Sequence, residues 1–368
     1  MTEQAVLFDE MSTKNGYRIG IATLNAPNSL NALNHEMIHL LSQKLSQWEF
    51  SAEIVCVYLQ AAGEKAFCAG GDIREVYNSL VSSTEGSIAG AKQFIEDEYN
   101  LDYQIFSYSK PIISAGDGII MGGGLGLAAA CNHRIVTEKS RLAMPEIKIG
   151  IYPDVGATYF LGRLPENIGL YIGLTSCWLN ANDALHINIA DYAIDHTKLS
   201  KLISIMAILD WGNDPCQNDR LITNCLTELQ TSNTAQFQES NLIKHNEYIT
   251  TVSSADNFDE IYRGVSEGIN STDNWIINNS QNLQYGSPNS AYVIYKQMQI
   301  GEKLDRKQVR DFEIKLTQDC FVRADFVEGV RALLMDKDLK PNWSPQTIQG
   351  ISRHRIDDFF KNSSRAVQ

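Results

Sequence analysis

The chain of 368 residues has no apolar run near the roughly 20 residues that a membrane span requires. It is poor in positive charge. Lysine and arginine total 31 against 44 acidic residues, leaving a net charge of −13. A general electrostatic grip on nucleic acid is therefore excluded, and any anionic ligand must be held by a local pocket. The seven cysteines (56, 68, 131, 177, 216, 225 and 320) are odd in number and never spaced as CxxC. Neither a disulfide framework nor a zinc site is indicated, so they read as buried, reduced thiols. The first residues lack the basic and apolar segments of a signal peptide and the arginines of a transit peptide. A reducing, cytoplasmic setting is expected, and a mitochondrial-matrix protein without its leader has the same appearance. No internal repeat or low-complexity tail is present.

What remains has the balance of a folded protein, with 43% hydrophobic and 20% charged residues. The apolar, β-branched runs at 17–25 and 52–60 predict strands. Between them, Leu33, Met37, Leu40, Leu41, Leu45 and Trp48 recur at helical spacing. A helix over 88–108 and a strand from Pro111 follow, then a small-residue helix opened by Gly122-Gly123-Gly124 and a short strand at Arg134. This order predicts an α/β layer with right-handed crossovers. The loop after it is expected to begin at Leu142. From about 165 the helical signal dominates. The Asn- and Ser-rich stretch at 270–282 reads as a loop or linker, and 288–362 as helices.

Three glycine-bearing stretches carry candidate chemistry. Ala66–Arg74 (AFCAGGDIR) and Gly116–Gly126 (GDGIIMGGGLG) each lie between a strand and a helix. Glycine turns allow close backbone approach, and a helix start presents unbonded N–H groups, so two such turns side by side would bind an oxyanion. There is no P-loop. The dinucleotide fingerprint begun at Gly116 fails at Met121, and the looser match from Gly124 lies inside the helix instead of before it. The third stretch, Met144–Gly156, sets Glu146 and Asp154 each directly after a proline. A stiffened loop of that kind can present two carboxylates to one cavity, where burial and mutual repulsion separate their pKa values.

Nucleophilic serine catalysis has no GxSxG elbow to support it. His35-Glu-Met-Ile-His39 is a literal HExxH, but it sits on the helix whose other side is Leu33, Met37, Leu40 and Leu41, and no third ligand follows at a familiar spacing. It reads as a helix face, and no metal site is expected.

As an ordered set the motifs resemble the crotonase (enoyl-CoA hydratase/isomerase) superfamily, and within it the branch that hydrolyses 3-hydroxyisobutyryl-CoA. The resemblance runs through Asn28-Ser-Leu-Asn-Ala-Leu33, Lys65–Arg74, Glu98-Tyr99, Met121–Leu127, Met144-Pro-Glu146, Pro153-Asp-Val-Gly156 and Tyr159-Phe-Leu161. It returns at Ser287-Pro, Glu328–Asp338 and Pro341-Asn-Trp343, and says little about 165–285. It implies a spiral of repeated ββα units over 1–200 followed by a mainly helical capping region over 201–368. It also implies an oxyanion hole from the amides of Ala69 and Gly123, and contact between Ala69, Gly71 and Asp72 and the adenine end of coenzyme A. Lys65, Arg74 and Lys110 are candidates for its phosphates. Coenzyme A enters as part of an acyl-CoA substrate, and no separate cofactor is implied.

The same resemblance argues against hydration. The first hydratase glutamate would fall at position 126, where this chain has glycine, and Asp154 stands where hydratases tend to carry glycine. Without that carboxylate, half of the acid/base pair is missing. The implied reaction is hydrolysis of a short β-hydroxyacyl-CoA, foremost 3-hydroxyisobutyryl-CoA of valine breakdown. Glu146 would serve as nucleophile or general base and Asp154 would orient the substrate hydroxyl or water, with Glu98 and Gly123 in contact with substrate. Ala157-Thr158 and Leu101-Asp102 depart from the branch pattern and bear on the acyl pocket. An enoyl-CoA hydratase or isomerase, and a non-catalytic acyl-CoA-binding protein, are the alternatives. Self-association into a homo-oligomer stays open.

Overall fold

The computed structural model describes residues 4–82, 88–230, 237–322 and 324–365. The first long apolar runs form β1 (Val6–Ser12), β2 (Arg18–Leu24) and, after helix α1 (His35–Phe50), β3 (Ile54–Ala61). The side chain of Asn34 caps α1 by accepting from the Met37 amide at 2.8 Å, and Met37, Ile38, Leu41, Leu45 and Trp48 form its buried stripe. Next come β4 (Ala66–Cys68), α2 (Ile73–Ser82), α3 (Ala89–Phe106), β5 (Ile112–Gly116), β6 (Ile119–Met121), α4 (Gly123–Ala129), β7 (His133–Val136) and β8 (Arg141–Ala143).

The strands repeat as pairs. The first member of each pair (β3, β5, β7) joins a six-stranded sheet ordered β1-β2-β3-β5-β7-β9, where β9 is Tyr192–Ala193. The second member (β4, β6, β8) joins a three-stranded sheet ordered β4-β6-β8. The strand pairs and the helices after them are the repeated ββα units that the resemblance implies. Only β1 runs antiparallel in the large sheet; β2-β3, β3-β5, β5-β7 and β7-β9 are parallel. Parallel strands covered on both faces need unbroken apolar runs, and β3 is buried over its first six residues.

The described chain divides into two compact units, each assembled from three stretches. The first contains Met1–Gly71, Asn100–Leu142 and Leu179–Lys244, the second Asp72–Tyr99, Ala143–Trp178 and His245–Gln368. The core of the first includes Ile19, Ile21, Val55, Tyr58, Ile113, Ile135, Leu202 and Trp211. Its helices after β8 are α7 (Ala181–His186), α8 (His196–Met206), α9 (Pro215–Leu229) and α10 (Asn241–Lys244). In the second unit, α5 (Ala157–Phe160) and the wholly buried α6 (Ile168–Thr175) precede α11 (Asn246–Ser253), α12 (Phe258–Glu267), α13 (Asn274–Tyr285), α14 (Pro288–Gly301), α15 (Arg306–Phe321), α16 (Ala324–Val330) and α17 (Arg353–Arg365). All described elements beyond β9 are helical, so the boundary expected near residue 200 marks where strands end, while the compact units interleave across it.

Two expectations are corrected. The stretch 270–282 is mostly helix: Asp273 caps α13 by accepting from the Trp275 amide at 2.8 Å, and Ile276, Asn279, Ser280 and Leu283 are buried at helical spacing. Residues 141–143 form β8 and not the start of a loop. The seven cysteines are free thiols, and all but Cys216 are buried.

The glycine triplet is dictated by close packing. A Cβ on Gly124 would lie 2.2 Å from the Cys68 carbonyl oxygen. Gly124→Ala is expected to destabilise the protein by about 1–3 kcal/mol, as overpacking does. Urea unfolding checks this, and an unchanged midpoint with unchanged slope contradicts it.

Candidate active site

The loops after β4, β6 and β8 carry the residues singled out from sequence. The first two meet within the first unit. Gly70, at φ +108°, packs so closely that a Cβ there would stand 3.2 Å from the Met121 carbonyl oxygen and 3.6 Å from the Gly123 nitrogen. Gly122 turns the chain into α4, leaving Gly123 as its first residue, whose amide faces no preceding turn.

The expected donor pair needs correction at one member. The Ala69 amide is already bonded to the Leu30 carbonyl at 3.0 Å and has no proton left to offer. The Gly71 amide, two residues on, and the Gly123 amide find no acceptor among the described residues. The neighbouring Leu33 amide bonds to the Gly70 carbonyl at 2.8 Å, which fixes the strand-like bridge at Gly71. The unoccupied amides are thus those of Gly71 and Gly123.

The third loop lies in the second unit. Glu146 opens a one-turn 3-10 helix, Glu146–Ile149, which Gly150 closes at φ +76°. Asp154 follows Pro153, and its carbonyl accepts from the Ala157 amide at the start of α5. Glu98, on α3, joins them. All three are buried, with exposures of 3% for Glu98, 5% for Glu146 and 9% for Asp154. Glu98 is therefore not the solvated helix glutamate that its position on a long helix would ordinarily suggest.

Among the described residues no lysine or arginine pairs with any of the three. Glu98 Oε1 and Glu146 Oε2 are buried without a hydrogen-bond partner, as expected of groups that face a ligand. Asp154 differs: it accepts a hydrogen bond from the Tyr99 hydroxyl. That hydroxyl lies 3.0 Å from Thr317 Oγ1, which is 2.9 Å from the hydroxyl of Tyr152.

Burial without a cation drives the electrostatics. Desolvation, reinforced by the negative charge of Asp154, pushes Glu98 up to about 8. The same two causes, in the same order, hold Glu146 well above the usual carboxylate range, against a hydrogen bond from its own backbone and with a smaller push from Glu98. Asp154 is raised to about 6 by desolvation, with the Tyr99 hydroxyl opposing. Three acids that act on one another's charge form a site suited to taking up and releasing protons near neutrality.

With this geometry in view, the relatives are informative. Residues 19–360 match the enoyl-CoA hydratase/isomerase family. The chain belongs to that family. It is 34% identical over 345 residues to a mitochondrial 3-hydroxyisobutyryl-CoA hydrolase of Xenopus tropicalis, covering 93% of this chain and 86% of the relative. Against the human protein of the same name the identity is 33% over 344 residues, with the same coverage. Among solved structures, a carnitinyl-CoA dehydratase from Mycobacterium thermoresistibile is similar at TM-score 0.84 and 29% identity, covering 97% of this chain and 96% of that one. An enoyl-CoA hydratase from Rhodobacter sphaeroides is similar at TM-score 0.83 and 28% identity, covering 97% of both.

The other sequence candidates fall as follows. Lys110 is engaged at the end of α1, its ammonium donating to the carbonyls of Trp48 (2.7 Å) and Ser51 (2.6 Å). Lys65 and Arg74 are exposed on either side of the first glycine turn, and Asp72 accepts from the Arg74 amide at 3.2 Å at the start of α2. His35 is half-buried and His39 exposed on α1, their rings 4.5 Å apart. Sequence reading missed Thr317 and Tyr152. The available signal was α15 itself, whose buried stripe of Val309, Phe312, Leu316 and Cys320 also includes Glu313 and Thr317.

The raised carboxyls carry a pH signature. Glu98 and Asp154 hold their protons to higher pH folded than unfolded. Their stabilisation is complete below the ordinary carboxylate range and is lost as pH rises through about 6 for Asp154 and about 8 for Glu98. Unfolding free energy should therefore fall from about pH 5 to about pH 8, with Glu98 contributing a slope of up to about 1.4 kcal/mol per pH unit. Urea unfolding across that range should show a flatter profile for Glu98→Gln; an identical profile contradicts the assignment.

Proposed function

We propose that this chain hydrolyses a short β-hydroxyacyl-CoA thioester, 3-hydroxyisobutyryl-CoA to 3-hydroxyisobutyrate and coenzyme A, a step of valine breakdown. The observation that carries the reading is the set of acids. Glu146 and Asp154 are buried together with Glu98, while position 126, inside α4, is a buried glycine with no carboxylate to offer. The names of the relatives point to the same reaction. The hydratase reading has fold likeness behind it but lacks the second glutamate. The intact, buried acids speak against a purely non-catalytic acyl-CoA binder.

In the proposed mechanism, the amides of Gly71 and Gly123 receive the thioester oxygen as negative charge develops on it. One such donor is typically worth about 3–4 kcal/mol. Glu146, whose burial makes its ionised form a stronger base than an exposed carboxylate, acts on the carbonyl carbon in one of two ways. As nucleophile it forms an acyl anhydride and expels the thiolate, and water then cleaves the anhydride. As general base it takes a proton from water, whose oxygen adds to the carbonyl before the carbon–sulfur bond breaks. Asp154, oriented by Tyr99, holds the 3-hydroxyl or the water and assists protonation of the leaving thiolate. Glu98 contacts the substrate, and Ala69, Gly71 and Asp72 lie toward the adenine end of coenzyme A. The −13 chain binds an acyl-CoA and neither nucleic acid nor membrane. Among the described residues no helix is long and apolar enough to cross a membrane. The setting we propose is reducing: the cytoplasm, or the mitochondrial matrix as the relatives' names suggest.

The test is release of free thiol from 3-hydroxyisobutyryl-CoA, with crotonyl-CoA run beside it. Thiol release is expected, and hydration of crotonyl-CoA is not. Glu146→Ala should lower kcat by about 10²–10⁴-fold and Asp154→Asn by a smaller factor, as loss of acid/base groups does. Hydration without thiol release contradicts the proposal. In a single turnover in ¹⁸O-water, label recovered in Glu146 excludes simple base catalysis.

A further inference from the structure

We propose that Glu313 is a positioning residue of this enzyme: it holds the turn that carries Asp154 in the shape the reaction needs. The proposal rests on the hydrolase reading above. Glu313 lies on α15 with none of its surface exposed. Its two oxygens reach the same short segment. One accepts the Gly156 amide at 2.7 Å and the other the Thr158 amide at 2.9 Å. These amides belong to the start of α5, where no helical carbonyl precedes them, so the two Glu313 oxygens supply the acceptors that the backbone cannot.

The turn needs such a tether. Val155 has φ +51° and Gly156 φ +85°, two successive residues in the left-handed region. A β-branched residue there is strained by about 1–3 kcal/mol and persists only where its surroundings enforce it. A second tether comes from α14. Gln297, also fully buried, donates its side-chain amide to the Pro153 carbonyl at 2.5 Å and to Thr158 Oγ1 at 2.8 Å. Residues 153, 156 and 158 are thereby fixed on both sides of Asp154.

One turn further along α15, on the same face, Thr317 touches the Tyr99 hydroxyl that donates to Asp154. The helix thus governs Asp154 twice, through its backbone turn by Glu313 and through its carboxylate by Thr317 and Tyr99. Glu313 touches no reacting atom in this scheme.

The isosteric substitution Glu313→Gln separates positioning from packing. It keeps the volume but turns an NH₂ group toward one of the two amides, donor against donor. We expect kcat for thiol release from 3-hydroxyisobutyryl-CoA to fall about 100-fold, the size of a displacement near 1 Å, with KM nearly unchanged. Because Glu313 acts through Asp154, the same substitution in an Asp154→Asn background should lower kcat by less than about threefold. Glu313→Asp, which keeps the carboxyl group but shortens its reach, should fall between wild type and Glu313→Gln. Hydrogen exchange supplies a readout without turnover: the Gly156 and Thr158 amides should exchange faster in Glu313→Gln, while amides of the large sheet do not. Full kcat in Glu313→Gln, an undiminished further loss in the Asp154→Asn background, or unchanged exchange at both amides overturns the proposal. Absence of thiol release by the wild type would instead overturn the hydrolase reading, leaving the exchange measurement to decide the tether.

Discussion

Everything about this site follows from burying carboxyl groups with, among the described residues, no lysine or arginine paired to them. A lone ionised carboxylate in such a place is costly, and proteins ordinarily avoid it by pairing or by protonation. Here Glu98, Glu146 and Asp154 are all buried, and only Asp154 has a hydroxyl donor to favour its charge. Desolvation pushes all three upward, and the charge of Asp154 pushes the other two further. The consequence is a division of labour. The Tyr99 hydroxyl opposes the rise of Asp154, which stands at about 6, while Glu98 stands at about 8 and Glu146 well above the usual carboxylate range. Such an arrangement stores protons where a thioester hydrolase must move them.

The fold supplies the two components of that chemistry from one repeated design. Each ββα repeat sends its second strand into the three-stranded sheet and leaves a loop at its end. In the first two repeats the loop is glycine-rich, because a side chain at Gly70 or Gly124 would strike backbone. Bare amides are the result. In the third repeat prolines replace most of the glycines, and carboxylates follow them. Helices far along the chain then supply what the loops lack: α15 brings Glu313 and Thr317, and α14 brings Gln297.

How much of this was legible in the sequence depended on how local the determinant was. β2, β3, β5 and α1 were readable because their apolar periodicity is strong and their burial one-sided or complete. β1 was not, since Asp9 and Glu10 break its pattern and its pairing with β2 is what makes it a strand. The 270–282 stretch misled because asparagine and serine favour turns in isolation, whereas the cap at Asp273 and the buried Ile276, Ser280 and Leu283 make it a helix. Glu146 and Asp154 could be found from their prolines and the family pattern. Ala69 could not be told from Gly71 by sequence: which amide is taken depends on the Leu30 carbonyl, about 40 residues earlier and brought close only by the fold. Glu313 was hidden for the same reason, because a carboxylate on an apolar helix face has meaning only once its partners at 156 and 158 are known.

Burial is expected to keep a proton on Glu98 at neutral pH, and infrared spectroscopy of protein labelled with ¹³C in the glutamate side chain detects that proton. At pH 7 the expected spectrum contains the carbonyl stretch of protonated glutamic acid, reduced in Glu98→Gln. A spectrum with only ionised carboxylate at that pH, in wild type and variants alike, would mean that water or an unseen cation reaches the acids, and desolvation would no longer explain the chemistry.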